Sequence, residues 1–323
     1  MMKWLKYLLA VLALGLALVV YISWTPDIPH EELAEKYATG ASDFIELPSG
    51  ARAHFRMQGN AEGRTIVLLH GSNASLHTWE GWVDALEEDH FIVTVDLPGH
   101  GLTGPTPADD YTYGGMVAFV DEFADALNLQ NFILGGNSMG GGVTLAYALA
   151  HSDKLAGIVL VDAAGVNPPA VTKVPVKRPK AFNLAGHWYS DWILENITPR
   201  SIVVEGLETS IVDHSLITDA MIDRYWELAR HPGNRRATGL RFAWYRDGGR
   251  KDLDVAQIKL PTLILWGEAD SLIPAEVGQI LNDRIEGAKM ITFPNIGHIP
   301  MEEIPAISAT AVRSFVAGLT SAE

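Results

Sequence analysis

The chain has no cysteine in its 323 residues, which excludes disulfides, thiolate metal sites and a cysteine nucleophile. Basic residues are scarce: 24 lysines and arginines stand against 39 aspartates and glutamates, a formal charge of −15. A phosphate backbone would repel such a chain, so no nucleic-acid partner is expected. There is no repeat of fixed period and no long low-complexity tract, which removes solenoids and propellers. The phosphate-loop pattern G-x-x-x-x-G-K-[ST] and the HExxH pair of zinc hydrolases are both missing, so neither cofactor nor metal is expected.

What is present begins with an apolar N-terminus. Residues 7–26 carry no charge and, as a helix, span roughly 30 Å, one hydrocarbon core. Lys3 and Lys6 precede the run, Asp27, Glu31 and Glu32 follow it, and Trp4, Tyr7, Tyr21 and Trp24 fall at headgroup level. This predicts a membrane anchor over residues 1–26, single-pass, with the body on the extracytoplasmic side, periplasmic or extracellular. Secretion after signal cleavage is the alternative, because Ala13-Leu14-Gly15 and Gly15-Leu16-Ala17 have small residues in the right relation. Cutting there would leave the apolar stretch from Leu18 to Ile22 exposed on the mature end, which favours the uncleaved anchor. Residues 27–42 are polar and acidic, with Pro29 and Gly40 as breakers, and read as a linker.

The body, residues 43–323, is long enough and apolar enough for one large α/β domain. "DFIELPSGARAHFRMQG" (43–59) has two alternating stretches around Pro48-Ser49-Gly50, an opening β-hairpin. Short runs apolar on both faces follow: "TIVLLH" (65–70), "FIVTVD" (91–96), "NFILGG" (131–136), "GIVLVD" (157–162), "TLILWG" (262–267) and "KMITF" (289–293). Helical segments at 113–127, 138–151 and 304–319 alternate with them, so a mostly parallel, doubly wound sheet is expected, with chemistry at the strands' C-terminal ends. The interval after the sixth sheet strand is far too long for a direct connection. Residues 166–250, with Trp188, Tyr189, Trp192, Tyr225, Trp226, Trp244 and Tyr245, read as a helical cap inserted there, most of these aromatics forming the cap's own core.

Gly136-Asn137-Ser138-Met139-Gly140 matches G-x-S-x-G between an apolar strand and a helix. A turn that tight strains the serine backbone and leaves no room for a Cβ two residues to either side. The hydroxyl then stands at a helix N-terminus, where N–H groups favour developing negative charge. A serine nucleophile needs a base and an acid that orients the base. "LWGEAD" (265–270) places Asp270 just after one strand, and "FPNIGHIPMEE" (293–303) places His298 in the loop after the next. Asp162, ending strand 157–162, is the competing acid. The oxyanion donors expected are the backbone N–H groups of Met139 and of Ser72, which lies in "HGSNASLHTW" (70–79). His70 and His100 read as structural, orienting loop backbone. Asn137 has no role legible in the sequence.

With those residues in hand, the chain resembles the α/β-hydrolase fold superfamily over about residues 43–320, through "HGSNAS", "DLPGHG", "GNSMGG", "LWGEAD" and "GHIPMEE" in that order. The resemblance implies Ser138 as nucleophile, Asp270 as acid, His298 as base, and Ser72 and Met139 as oxyanion donors. A serine rather than an aspartate nucleophile argues against dehalogenases and epoxide hydrolases. "GNSMGG" is similar to the nucleophile segment of hydrolases that cleave carbon–carbon bonds in aromatic ring-fission products. Those enzymes usually carry a glycine-rich loop where this chain has Ser72-Asn73-Ala74, and a tryptophan where it has Ile299. The expectation is a carboxylic ester hydrolase acting on a small-molecule apolar acyl substrate. Carbon–carbon, lactone and amide hydrolysis are alternatives, and a non-catalytic membrane-tethered binding protein is a remote one. Chain length of the substrate and oligomeric state are not legible in the sequence.

Overall fold

In the computed structural model, described over residues 2–177, 188–249 and 251–320, the apolar runs pair into one eight-stranded sheet. Its strands are β1 (Ser42–Glu46), β2 (Arg52–Gly59), β3 (Thr65–Leu69), β4 (Phe91–Val95), β5 (Phe132–Asn137), β6 (Leu155–Val161), β7 (Thr262–Gly267) and β8 (Lys289–Phe293). They lie in the order β1-β2-β4-β3-β5-β6-β7-β8. β1 and β2 form the expected hairpin, β2 pairs antiparallel with β4, and every later pairing is parallel. At the hairpin turn Gly50 has φ +81°, a region that an L side chain rarely adopts.

Before the sheet come α1 (Met2–Ser23) and α2 (His30–Tyr37). The sheet is flanked by α3 (Glu80–Leu86), α4 (Tyr113–Ala126) and α5 (Met139–Ala150). Between β6 and β7 the described helices are α6 (Trp188–Asn196), α7 (Arg200–Ser210), α8 (Asp219–Ala229) and α9 (Asn234–Arg246). After β7 follow α10 (Ala275–Arg284), the short α11 (Pro300–Glu303) and α12 (Pro305–Thr320).

Alternation along β3 sets the layers, since successive side chains point to opposite faces. Val67 and Leu69 join the core formed with α4, α5 and α10, whereas Ile66 and Leu68 join the core formed with α3 and α12. Trp82 of α3 donates its indole N–H to Ser308 of α12 at 2.8 Å, tying the second layer together. β8 departs from the expectation of two apolar faces: it is the edge strand, and Ile291 is exposed.

Residues 27–42 are not the free linker that their polarity suggested. Leu33 and Tyr37, one turn apart on α2, are buried with Ile28, Leu102 and Leu228. Lys36 pairs with Glu227 at 2.6 Å, Tyr37 donates to the same carboxylate at 2.7 Å, and Arg235 pairs with Asp27 at 2.7 Å. The stretch is acidic on average, but its i, i+4 apolar pair makes one face stick to the body. By contrast the apolar stretch of α1, Trp4–Ser23, buries nothing in the chain and is long and apolar enough to cross a membrane. Of the insertion's aromatics, the side chains of Trp188 and Tyr189 lie outside the described residues, as do residues 178–187 and Arg250.

Candidate active site

Ser138 directly follows β5 and directly precedes α5, with φ 52° and ψ −115°. This strained backbone is held from three sides: its N–H donates to Val161 O at 3.0 Å, and its carbonyl accepts from Gly142 at 3.1 Å and Ala164 at 2.8 Å. A Cβ on Gly136 would run into the Gly140 carbonyl, and one on Gly140 into the Leu69 carbonyl. The turn therefore closes only with glycine at both positions.

Asp270 and His298 meet at the same end of the sheet, His298 Nδ1 lying 2.6 Å from Asp270 Oδ2. The other carboxylate oxygen accepts from Leu272 N at 2.7 Å and Ile273 N at 3.0 Å, so the group is oriented by its own loop. With the Nδ1 proton given to Asp270, Nε2 is the nitrogen left free to take a proton. His298 N donates to Ser210 O at 2.7 Å, and Asn137 Nδ2 donates both to Val161 O at 3.1 Å and to His298 O at 3.0 Å. Asn137 thus ties the serine turn to the histidine loop, a role that the sequence did not disclose.

Asp162 sits nearby at the end of β6, with φ 45°, and its Oδ1 accepts from Gly267 N at 2.9 Å. One ligand atom each of Asp162, Asp270 and His298 lies within 4.8 Å of the others. Burial, and then the neighbouring Asp270, push the Asp162 pKa well above its ordinary value. The structure pairs His298 with Asp270 and not with Asp162. These three groups have the donor types of a metal site, and Asp270 already accepts three N–H bonds there.

The loop after β3 carries Ser72. His70 Nδ1 donates to Gly71 O at 2.7 Å, and its Nε2 accepts from Leu97 N at 2.9 Å. In a trans peptide the N–H points opposite to the carbonyl, so holding Gly71 O turns the Ser72 N–H away from His70. Among the described residues, neither the Ser72 nor the Met139 N–H has an acceptor. His100 is likewise structural: it donates from Nδ1 to Pro98 O at 2.9 Å, and burial, then Arg241, push its pKa well below 6.5.

Ser72, Met139, Ser138 and His298 line one cavity of about 680 Å³. Its far walls come from the insertion: Leu194 of α6, Ile202, Val203 and Leu207 of α7, and Phe242 of α9. Sequence reasoning also missed Arg241 of α9, which reaches Ser72 across 169 positions of chain, and Glu302, which accepts from Thr78 and Tyr225 at 2.5 Å each and from Arg224 at 2.9 Å. No local pattern links residues so far apart.

The profile of the α/β hydrolase fold family matches residues 64–305. The chain is 28% identical to 2-hydroxy-6-oxo-2,4-heptadienoate hydrolase of Pseudomonas putida, covering 73% of this chain and 83% of that one. It is also 28% identical to monoacylglycerol lipase abhd6-A of Xenopus laevis, over 80% of this chain and 77% of that one. Among solved structures, a membrane phospholipase A described as a bacterial virulence factor superposes with a TM-score of 0.73 at 22% identity, covering 99% of both chains. A serine hydrolase of carbazole degradation does so with a TM-score of 0.71 at 24% identity, over 85% of this chain and 98% of that one. With the family matched from β3 to the start of α12, and hydrolases among its relatives, the chain belongs to the α/β hydrolase fold family and is a hydrolase.

Proposed function

We propose that this hydrolase cleaves a carboxylic ester of an apolar acyl group by a serine acyl-enzyme mechanism. The observation that carries the reading is the 2.6 Å bond from buried Asp270 to His298, which lines the same cavity as Ser138. Ser138 Oγ attacks the acyl carbon while His298 Nε2 takes its proton, and Asp270 stabilises the imidazolium. The N–H groups of Ser72 and Met139 receive the oxyanion. His298 returns the proton to the leaving alkoxide, and water, deprotonated by the same nitrogen, then releases the carboxylate.

The inserted helices act as a cap, and their leucine, isoleucine and valine side chains suit an acyl chain. α1 anchors the enzyme in a membrane, with Lys3 and Lys6 on the inner side and the hydrolase body outside. A relative named monoacylglycerol lipase and the fold neighbour named membrane phospholipase A are compatible with an ester at a membrane. The second reading, carbon–carbon hydrolysis, draws on the similarity to the heptadienoate hydrolase and on the Asn137-Ser138-Met139 segment. Ile299, an apolar residue on the cavity wall, leaves that reading without the tryptophan expected next to the histidine.

The test compares nitrophenyl esters of increasing chain length with a coloured ring-fission dienoate, and labels Ser138 with a fluorophosphonate. Ester turnover that disappears in Ser138→Ala supports the proposal. Loss of the dienoate colour without ester turnover would transfer the chain to the second reading, and labelling at another residue would sink the mechanism.

A further inference from the structure

Arg241 is a cap residue that is 1% exposed, yet no carboxylate pairs with it among the described residues. A buried cation ordinarily takes an anionic partner, because leaving water is costly. The guanidinium instead meets three neutral groups: one nitrogen donates to His100 Nε2 at 2.9 Å and lies against Met139 Sδ, and the other donates to Ser72 Oγ. Its Nε has no partner. Two of the three groups are therefore the side chains of Ser72 and Met139, the residues whose backbone N–H groups the mechanism proposed above assigns to the oxyanion. The third, His100, packs with its ring 5.0 Å from that of His70, which orients the Gly71–Ser72 peptide.

We propose that Arg241 is the positioning residue of the oxyanion hole, through which the cap makes the sheet-borne site competent. The guanidinium fixes Ser72 and Met139 relative to each other, and its uncompensated charge meets its counter-charge only when the tetrahedral oxyanion forms. An interaction strengthened in the transition state lowers the barrier without tightening substrate binding. Because Arg241 rides on α9, whose Phe242 lines the cavity, a cap lifted from the sheet withdraws both the brace and the charge. Burial loosens the guanidinium's hold on its proton, but an arginine side chain stays charged in proteins.

The proposal rests on the acyl-enzyme reading above, and its test separates the two. Full-length wild type, Arg241→Met and Arg241→Lys in detergent are compared for kcat and KM on nitrophenyl butyrate. Inhibition by phenylboronic acid, which adds the serine oxygen to give a tetrahedral anion, is compared with inhibition by butyramide, a neutral ground-state analogue. In Arg241→Met, kcat and boronate affinity fall together by roughly tenfold to a hundredfold, while KM and butyramide affinity move less than about threefold. Arg241→Lys, which keeps the charge, recovers part of the boronate affinity. Unchanged boronate affinity in folded Arg241→Met, or an equal loss for butyramide, overturns the proposal. If Arg241→Met does not fold, Ser72→Ala decides: it keeps the backbone N–H but loses the tie to the guanidinium, so boronate affinity falls, and an unchanged value overturns the proposal. A wild-type chain that binds boronate but turns over no ester fails the ester reading alone.

Discussion

Asp162 and Asp270 follow the C-terminal ends of the neighbouring strands β6 and β7, with their carboxyls close together and wholly buried, yet only Asp270 bonds to His298. The two acids therefore divide the work. Asp270 orients the histidine through its hydrogen bond, whereas burial, and then Asp270, push the Asp162 pKa up.

This division predicts opposite outcomes for matched substitutions. Asp270→Asn favours the wrong histidine tautomer and loses about 10³- to 10⁴-fold in kcat on a nitrophenyl ester. Asp162→Asn keeps an oxygen for the Gly267 N–H and leaves the Asp270–His298 bond in place, so it retains most activity. The reverse result would move the acid role to Asp162.

Asn137 predicts a coupled loss. Its amide spans Val161 O and His298 O in the interior, so Asn137→Ala leaves two buried carbonyls with fewer donors. A destabilisation of about 1–3 kcal/mol is expected, with a fall in kcat because the histidine loop is no longer tied to the serine turn. Calorimetry and steady-state kinetics on the same preparation check it, and a variant unchanged in both measurements counts against the tie.

Part of the pH dependence of stability is expected to run through His231, which packs on Gly104 and faces His30 at 3.0 Å, alongside the buried His70, His77 and His100, whose pKa values are also lowered. Burial, and then His30, lower its pKa from 6.5 to about 4. Below about 6.5 the unfolded chain takes up a proton that the folded chain refuses until about 4. Stability from this group is thus complete above 6.5 and declines as the pH falls toward 4. Melting temperatures measured from pH 7.5 to 4.5 should show that decline, and His231→Gln should make it shallower. An equally steep decline in the variant would assign the effect elsewhere.

Truncation separates α1 from α2. A chain starting at Trp24 should leave the membrane fraction and keep its melting temperature, since α1 buries nothing in the body. A chain starting at Asp43 also loses Ile28, Leu33 and Tyr37, and burying each such side chain contributes about 1.5–3 kcal/mol. Its melting temperature should drop, and equal values for the two truncations would mean that α2 adds nothing.

How much of this was legible in the sequence depended on the range of the interaction involved. The serine turn is a local matter: Gly136, Ser138 and Gly140 lie within five positions, and the collisions that a Cβ would make explain the spacing. Asp270 and His298 were legible because each follows an apolar strand, and parallel strands deliver their C-terminal ends to one edge. α2 was missed because average polarity hid Leu33 and Tyr37, whose value appears only against Leu102 and Leu228.

The sequence by itself determined the doubly wound sheet and the order of serine, acid and histidine, since hydrophobic period and turn chemistry act over a few residues. Only the tertiary structure decided that Asp270 rather than Asp162 holds His298, that Asn137 joins the two loops, and that Arg241 stands behind Ser72 and Met139. The physical reason is burial: which polar groups pair depends on what the packed chain brings within hydrogen-bond reach once water is gone.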